Sequence, residues 1–231
     1  MAEALGWGAL AASSLVIGAL AALVRPWPQR LVGLVLGFGA GALISAVTFE
    51  LAEDGIAIGG GLAVAIGLAA GALTYFVGDS LIERPGRSDA GGALALGAFL
   101  DGIPEQLVLG LGIAVGEGVS VGLLAAIFVS NLPEAIGSAS ELRAGGRSEH
   151  QVVRLWIAVA VICTLATLFG YGLADNTSGH FQGAINGFAA GALLVMLVDS
   201  MIPQATRQAG RSTGLITTLG FAVAAGLSTV S

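Results

Sequence analysis

The sequence predicts an all-α polytopic membrane protein with eight transmembrane helices, in which helices 1–3 and 6–8 form an inverted repeat around helices 4 and 5. Three observations lead to this class: an apolar composition, basic residues confined to alternate connections, and a glycine pattern that recurs 150 residues later. Of the 231 residues, 55% are hydrophobic and 10% are charged, whereas a soluble domain carries about 25% charged residues. So few polar residues cannot cover a water-facing surface, which excludes a soluble enzyme, a nucleic-acid-binding protein and a disordered chain.

The apolar stretches are long enough to cross a bilayer, since a transmembrane helix needs roughly 20 mostly apolar residues. The connections between them are too short to hold a second domain, so residues 1–231 are expected to form a single transmembrane domain. The predicted spans are Ala4–Val24, Leu31–Glu53, Ile56–Asp79, Gly92–Val115, Val119–Leu142, Val152–Ala174, Phe181–Pro203 and Ser212–Thr229.

The basic residues determine the expected orientation. All nine are arginines, and all nine are assigned to the odd-numbered connections. The positive-inside rule places these connections in the cytoplasm and both termini outside. We therefore expect a multi-pass protein of the plasma (inner) membrane. The arginines are Arg25, Arg30, Arg84, Arg87, Arg143, Arg147, Arg154, Arg207 and Arg211.

The glycine pattern of span two recurs in span seven. Glycines lie four residues apart from Gly33 to Gly41 and again from Gly183 to Gly191, an offset of 150 residues. Spans one to three begin outside and spans six to eight begin inside, so the two triplets would be inverted, an arrangement typical of proteins with a ligand site at the membrane midplane. The glycines also suit close helix packing through GxxxG faces, either within one chain or in a homodimer.

Spans four and five carry acidic side chains inside the membrane. Asp101 and Glu105 are four residues apart, as are Ser130 and Glu134, and Asn131 follows Ser130. Residues at i and i+4 share a helix face, so each helix presents a short column of oxygen ligands. A carboxylate at the bilayer centre costs about 2.5–3.5 kcal/mol on insertion scales, and neither span contains an arginine. These features predict a cation site; alternatively, protonated carboxyl groups hydrogen-bond between the helices.

A proline precedes the second carboxylate in both spans. Pro104 stands before Glu105, and Pro133 stands before Glu134. A proline within a helix cannot donate to the carbonyl four residues earlier. Carbonyls freed in this way persist in a membrane only where protein, water or an ion satisfies them. The two spans therefore share a kinked, acid-bearing layout.

The two proline motifs resemble those of the ZIP (Zrt/Irt-like) family of metal transporters, in particular its GufA-like bacterial branch. The family's fourth helix usually carries His-Asn-x-Pro-Glu-Gly, where this chain has Asp-Gly-Ile-Pro-Glu-Gln at 101–106. The GufA-like fifth helix usually carries Gln-Asn-x-Pro-Glu-Gly, where this chain has Ser-Asn-Leu-Pro-Glu-Ala at 130–135. The resemblance implies a carrier rather than an enzyme, which moves zinc, manganese or iron into the cytoplasm without a separate cofactor.

The resemblance also implies which residues bind the ion and line its path. Glu50 falls where the family's second helix contributes a side chain to the central site. Asp199 and Ser200 fall where the seventh helix lines the inner exit. The implied central metal site comprises Asp101, Glu105, Ser130, Asn131, Glu134 and Glu50.

The chain departs from the family pattern at positions that bear on the metal. Asp101 replaces the histidine and Gly102 replaces the asparagine, while a sixth-helix glutamate that helps to hold a second metal is replaced near Thr167. We therefore expect one ion in an oxygen-rich site. Carboxylate oxygens suit Mn²⁺, whereas zinc more often takes histidine or cysteine ligands. Cys163 is expected to be a small packed residue of span six.

Two other functions account for parts of the sequence. A non-transporting ZIP-like metal sensor or membrane scaffold would explain the changes at Asp101 and Gly102, but it leaves the retained Glu105 and Glu134 unexplained. An intramembrane hydrolase is disfavoured, because no histidine or serine–base pair lies within a span to act as nucleophile or base.

The predicted orientation is tested by cysteine labelling in a Cys163→Ser background. Gly145→Cys lies between two arginines of the fifth connection, so a membrane-impermeant maleimide should label it only after the cells are lysed. Glu117→Cys, in the fourth connection, is the matched control and should be labelled in intact cells. Labelling of Gly145→Cys from outside would contradict the orientation.

Overall fold

The computed structural model describes the backbone of residues 1–82, 90–115, 121–174 and 178–228, and the side chains of residues 1–81, 102–114, 121–173 and 178–228. All regular secondary structure within these ranges is helical, which confirms the predicted all-α class. Six of the helices in these ranges are long and apolar enough to span a membrane. The helices are α1 (Ala2–Val24), α2 (Gln29–Gly59), α3 (Gly61–Ile82), α4 (Ala90–Val115), α5 (Val121–Ala144), α6 (Glu149–Ala174), α7 (Gly179–Ala209) and α8 (Ser212–Ser228).

The predicted boundary between spans two and three is wrong. The sequence predicts that span two ends at Glu53 and that span three begins at Ile56. Helix α2 instead continues through these acids as far as Gly59. The chain turns at Gly60, whose φ of +84° is a left-handed conformation that favours glycine.

Helix α7 also continues past its predicted end at Pro203. Pro203 lies in the first turn of the helical segment Ile202–Ala209, where a missing N–H donor is tolerated. The helix reaches Ala209, and the chain turns at Gly210 with a φ of +63°. In both long helices, the turn is therefore made by a glycine rather than by charged or proline residues.

Both long helices contain a π-helical interruption at the equivalent place. The interruptions Val47–Glu53 in α2 and Leu197–Met201 in α7 begin 150 residues apart. Both helices have 31 residues, so the likeness between them extends from glycine spacing to backbone geometry. Short π-helical segments are rare and are frequent at functional sites. The segments contain Glu50 in α2, and Asp199 and Ser200 in α7.

Helices α2, α5 and α7 are the most deeply buried of the long spans. More than half of the apolar window of each is buried, in contrast to α3 and α6. Helix α3 packs along α7, and α8 packs along α2. Helix α1 packs against both α5 and α6, and α4 also packs against α6. Helices α3, α6 and α8 carry large apolar side chains that are mostly exposed, among them Leu62, Phe169 and Leu215. Such apolar exposure is unusual on a water-facing surface and suits contact with lipid.

The repeated glycines bring helices into close contact within the chain. A Cβ atom at Gly41 of α2 would overlap with the backbone of Thr217 in α8. One at Gly191 of α7 would overlap with the backbone of Leu68 in α3. Small residues allow helix backbones to approach in this way. These glycines therefore serve internal packing.

Two glycines of α8 provide a test of this packing. Gly220→Ala should lower the free energy of unfolding by about 1–3 kcal/mol, because its Cβ would overlap with the carbonyl oxygen of Phe38 in α2. Gly214→Ala is the matched control, because a Cβ there meets no described atom within 4 Å. It should leave stability unchanged or raise it, since alanine is the better helix former. Thermal unfolding of the purified protein in detergent measures both; equal stability of the two variants would contradict the packing.

Candidate metal centre

Helices α4 and α5 continue through their prolines. Pro104 lies inside α4 and Pro133 inside α5, as the sequence analysis predicts. Because neither ring nitrogen can donate a hydrogen bond, each helix loses one backbone bond in the turn before its glutamate. Glu105 and Glu134 therefore stand directly after a weakened turn of their helices.

The polar side chains predicted for this centre are mostly buried. Glu105 and Ser130 are each 1% exposed, and Asn131 is 2% exposed. Glu134 is half-buried. The Ser130 hydroxyl donates to the Ile127 carbonyl at 3.1 Å. The interior of the bundle thus contains an acid on α4 and several polar groups on α5.

The side chain of Asp101 lies outside the described residues. Its neighbour Gly102 is described and is buried. Among the described residues, no three or more His, Cys, Asp or Glu side chains are grouped so that they could hold a metal ion. The described part of the centre is therefore not a preformed cage of such ligands.

Cys163 of α6 is the residue that the sequence analysis did not connect with this centre. Its side chain is completely buried, as expected for a packed residue. A Cβ atom at Gly102 would lie 2.6 Å from the Cys163 Sγ atom. Helix α6 thus brings its thiol against α4 at Gly102.

Thr167, four residues after Cys163, contacts a different part of α4. Its hydroxyl donates a hydrogen bond to the Gln106 Oε1 atom, and both side chains are completely buried. The Gln106 Nε2 atom has no hydrogen-bond partner within the described structure. The position near which a family glutamate is replaced thus holds α4 and α6 together.

The residues predicted at the second and seventh helices lie on the π-helical segments. Glu50 is half-buried, and its Oε1 atom accepts a hydrogen bond from the Ser228 hydroxyl at 3.1 Å. This bond joins α2 to the end of α8. Asp199 and Ser200 are exposed. The structure thus places Glu50 against a neighbouring helix, whereas Asp199 and Ser200 of α7 lie at the surface.

Comparison with known proteins gives two similar proteins, while no protein-family model matches the chain. The chain is 30% identical over 192 residues to "Putative zinc transporter At3g08650" of Arabidopsis thaliana, which covers 78% of this chain and 31% of that protein. It is 23% identical over 151 residues to "Zinc transporter SLC39A7" of Mus musculus, which covers 60% and 32% respectively. The chain thus spans about a third of the length of these relatives. Their names support the resemblance to the ZIP family that the motifs indicate.

The contact between Gln106 and Thr167 predicts a measurable coupling. Thr167→Val should lower the free energy of unfolding by about 1–3 kcal/mol, because the Gln106 carbonyl oxygen stays buried without its donor. The double variant Gln106→Leu with Thr167→Val should recover part of this loss, since both polar partners are then removed together.

The control for this coupling is Thr218→Val. The Thr218 hydroxyl is exposed and donates only to the Gly214 carbonyl of its own helix, so its loss should have little effect on stability. Thermal unfolding in detergent gives the stability of these three variants and of Gln106→Leu alone, which completes the cycle. Additive effects of Gln106→Leu and Thr167→Val would contradict the coupling.

Proposed function

We propose that this chain is a ZIP-type carrier that moves a divalent metal ion across the plasma membrane into the cytoplasm. The observation that carries the proposal is the burial of Glu105 on one proline-containing helix and of Ser130 and Asn131 on a second such helix. Buried acids in a membrane protein are costly, and they typically mark an ion pathway. The names of the two similar proteins support zinc as one of its substrates.

The proposed central site takes its ligands from three helices. Asp101 and Glu105 of α4, and Ser130, Asn131 and Glu134 of α5, would supply oxygen atoms, and Glu50 of α2 would complete the set. Zinc, manganese and ferrous iron all accept carboxylate oxygens, although with different preferences. Asp199 and Ser200 would line the route to the cytoplasm. The ion is the transported substrate in this scheme, not a resident cofactor.

We also propose that helices α1–α3 and α6–α8 form the inverted repeat. Three features of the fold support it: α2 and α7 have equal lengths, their π-helical segments begin 150 residues apart, and each helix ends before a left-handed glycine. The packing is reciprocal as well, because α3 contacts α7 while α8 contacts α2. Such repeats move against each other in many transporters, and glycine faces leave little side-chain bulk to oppose sliding.

Uptake into proteoliposomes tests the proposed function. Vesicles that contain the wild-type chain should accumulate Zn²⁺ or Mn²⁺, and Glu105→Ala combined with Glu134→Ala should reduce accumulation to that of protein-free vesicles. Glu149→Ala is the control, because Glu149 is an exposed acid paired with Arg143 at 3.1 Å. It should leave uptake unchanged.

Two outcomes of this experiment contradict the proposal. If the wild-type chain binds metal without accumulating it, the chain is a sensor or scaffold rather than a carrier. If the glutamate variant transports as well as wild type, the ion takes another path. Retained thermal stability of the glutamate variant shows that any loss of uptake is not a loss of folding.

A further inference from the structure

We propose that four arginines at one end of the bundle form a docking surface for the phosphate headgroups of anionic phospholipids. Arg25 and Arg30 lie where the chain passes from α1 to α2, and Arg207 and Arg211 lie where it passes from α7 to α8. These four residues are called the arginine surface below. They include no residue of the proposed metal site, so this inference does not depend on transport.

Close packing between the start of α2 and the end of α7 brings the two arginine pairs to the same end of the bundle. A Cβ atom at Gly33 of α2 would lie 2.6 Å from the Gln208 Cβ atom of α7. Arg30 stands about one helical turn before Gly33. Arg207 directly precedes Gln208, and Arg211 follows it by three residues. Two connections that are far apart in the sequence therefore meet at this end of the bundle.

A hydrogen bond fixes the turn that carries Arg211. The Thr213 hydroxyl of α8 donates to the Ala205 carbonyl of α7 at 3.1 Å, and Thr213 is buried. Between these residues the chain reverses at Gly210, whose φ is +63°. Because the turn is tied to both helices, Arg211 is held beside the end of α7.

The arginine surface carries positive charge that no nearby acid offsets. The sequence has no acidic residue at 25–36 or at 202–214. All four arginines are exposed, and within the described residues none of them is paired with a carboxylate. The connection between α5 and α6 differs, because its three arginines are accompanied by Glu141 and Glu149, and Arg143 pairs with Glu149 at 3.1 Å. Unbalanced positive charge is therefore concentrated on the arginine surface.

Trp27 indicates that the arginine surface lies at the depth of lipid headgroups. Its indole nitrogen donates to the Ala21 carbonyl at 2.9 Å, and the guanidinium carbon of Arg25 lies 4.2 Å from the centre of its ring. Tryptophan is enriched where the membrane meets water, because its ring is apolar and its N–H group is polar. A guanidinium stacked on a ring still presents N–H groups at its edge, and these can donate to phosphate oxygens.

The charge and depth of the surface determine the class of lipid. Clusters of about four or more basic residues beside transmembrane helices attract anionic headgroups, and arginine matches the geometry of phosphate. Phosphatidylglycerol has a net negative charge, whereas phosphatidylcholine has the same phosphate but no net charge. We therefore expect phosphatidylglycerol to be enriched beside the arginine surface.

Contact quenching of Trp27 fluorescence tests the surface in a bilayer. The full-length chain with Trp7→Phe is reconstituted into phosphatidylcholine vesicles that contain an equal minor fraction of brominated phosphatidylglycerol or brominated phosphatidylcholine. Trp156 is retained, because it is completely buried and bromine quenches only at contact. Brominated phosphatidylglycerol should quench Trp27 more strongly than brominated phosphatidylcholine, and high salt should reduce the difference by screening the charges.

A triple variant removes most of the surface charge. Its relative affinity for phosphatidylglycerol should fall by about fivefold for each arginine removed. Arg25 is kept, because its stacking on Trp27 holds the fluorescent reporter in place. The variant combines Arg30→Gln, Arg207→Gln and Arg211→Gln.

The matched control removes the same charge from the connection between α5 and α6. It should keep the wild-type preference for phosphatidylglycerol at Trp27, because the arginine surface is unchanged. The control combines Arg143→Gln, Arg147→Gln and Arg154→Gln.

Three outcomes would overturn the inference. The first is equal quenching of the wild-type chain by the two brominated lipids. The second is an equal loss of preference in both triple variants, because net charge rather than its placement would then attract the lipid. The third is displacement of brominated phosphatidylglycerol by inorganic phosphate at the ionic strength of a chloride control, which would identify a site for a soluble anion. If the first triple variant fails to fold, the comparison of the two lipids with the wild-type chain at low and high salt decides alone.

Discussion

The buried carboxylate of Glu105 is the constraint on which the rest of the centre depends. An acid placed inside an apolar helical bundle costs about 2.5–3.5 kcal/mol on insertion scales, and Glu105 is only 1% exposed. Neighbouring helices, water or a bound cation must offset this cost. Ser130 and Asn131 of α5 are buried as well, and the outer surface of the bundle is left to large apolar side chains.

Glycine allows this arrangement to be compact. Helices α2 and α7 are long and deeply buried, and they approach α8 and α3 through residues such as Gly41 and Gly191, where a methyl group would overlap with the opposite backbone. Such contacts rest on dispersion between closely packed backbones rather than on the hydrophobic effect, which is weak between helices in lipid. They contain few interlocking side chains, so the same surfaces that stabilise the fold leave the helices free to shift along each other.

The sequence predicts the helices well because apolar length is a local signal. It predicts helix boundaries and contacts between helices less well, because these depend on how distant parts of the chain pack. Apolar length and the proline motifs identify α4 and α5, with Pro104 and Pro133 inside them. The predicted ends of α2 at Glu53 and of α7 at Pro203 are too early, because left-handed glycines end both helices several residues later. The contact of Cys163 with Gly102 depends on how α6 packs on α4. A signal was present in the glycine at 102, which leaves space beside Glu105 for a residue of another helix.

The relation between Gly102 and Cys163 shows why the motif of α4 cannot be interpreted alone. The ZIP family usually has asparagine at the position of Gly102, but an asparagine here would place its Cβ atom 2.6 Å from the Cys163 sulfur. Overpacking of this kind forces side chains from their rotamers or shifts the backbone. The asparagine and the thiol therefore compete for one space, and restoring the family motif would displace Cys163 from its present position. The residues at 102 and 163 form a pair, so the residue that α4 can carry at position 102 depends on how α6 packs against it.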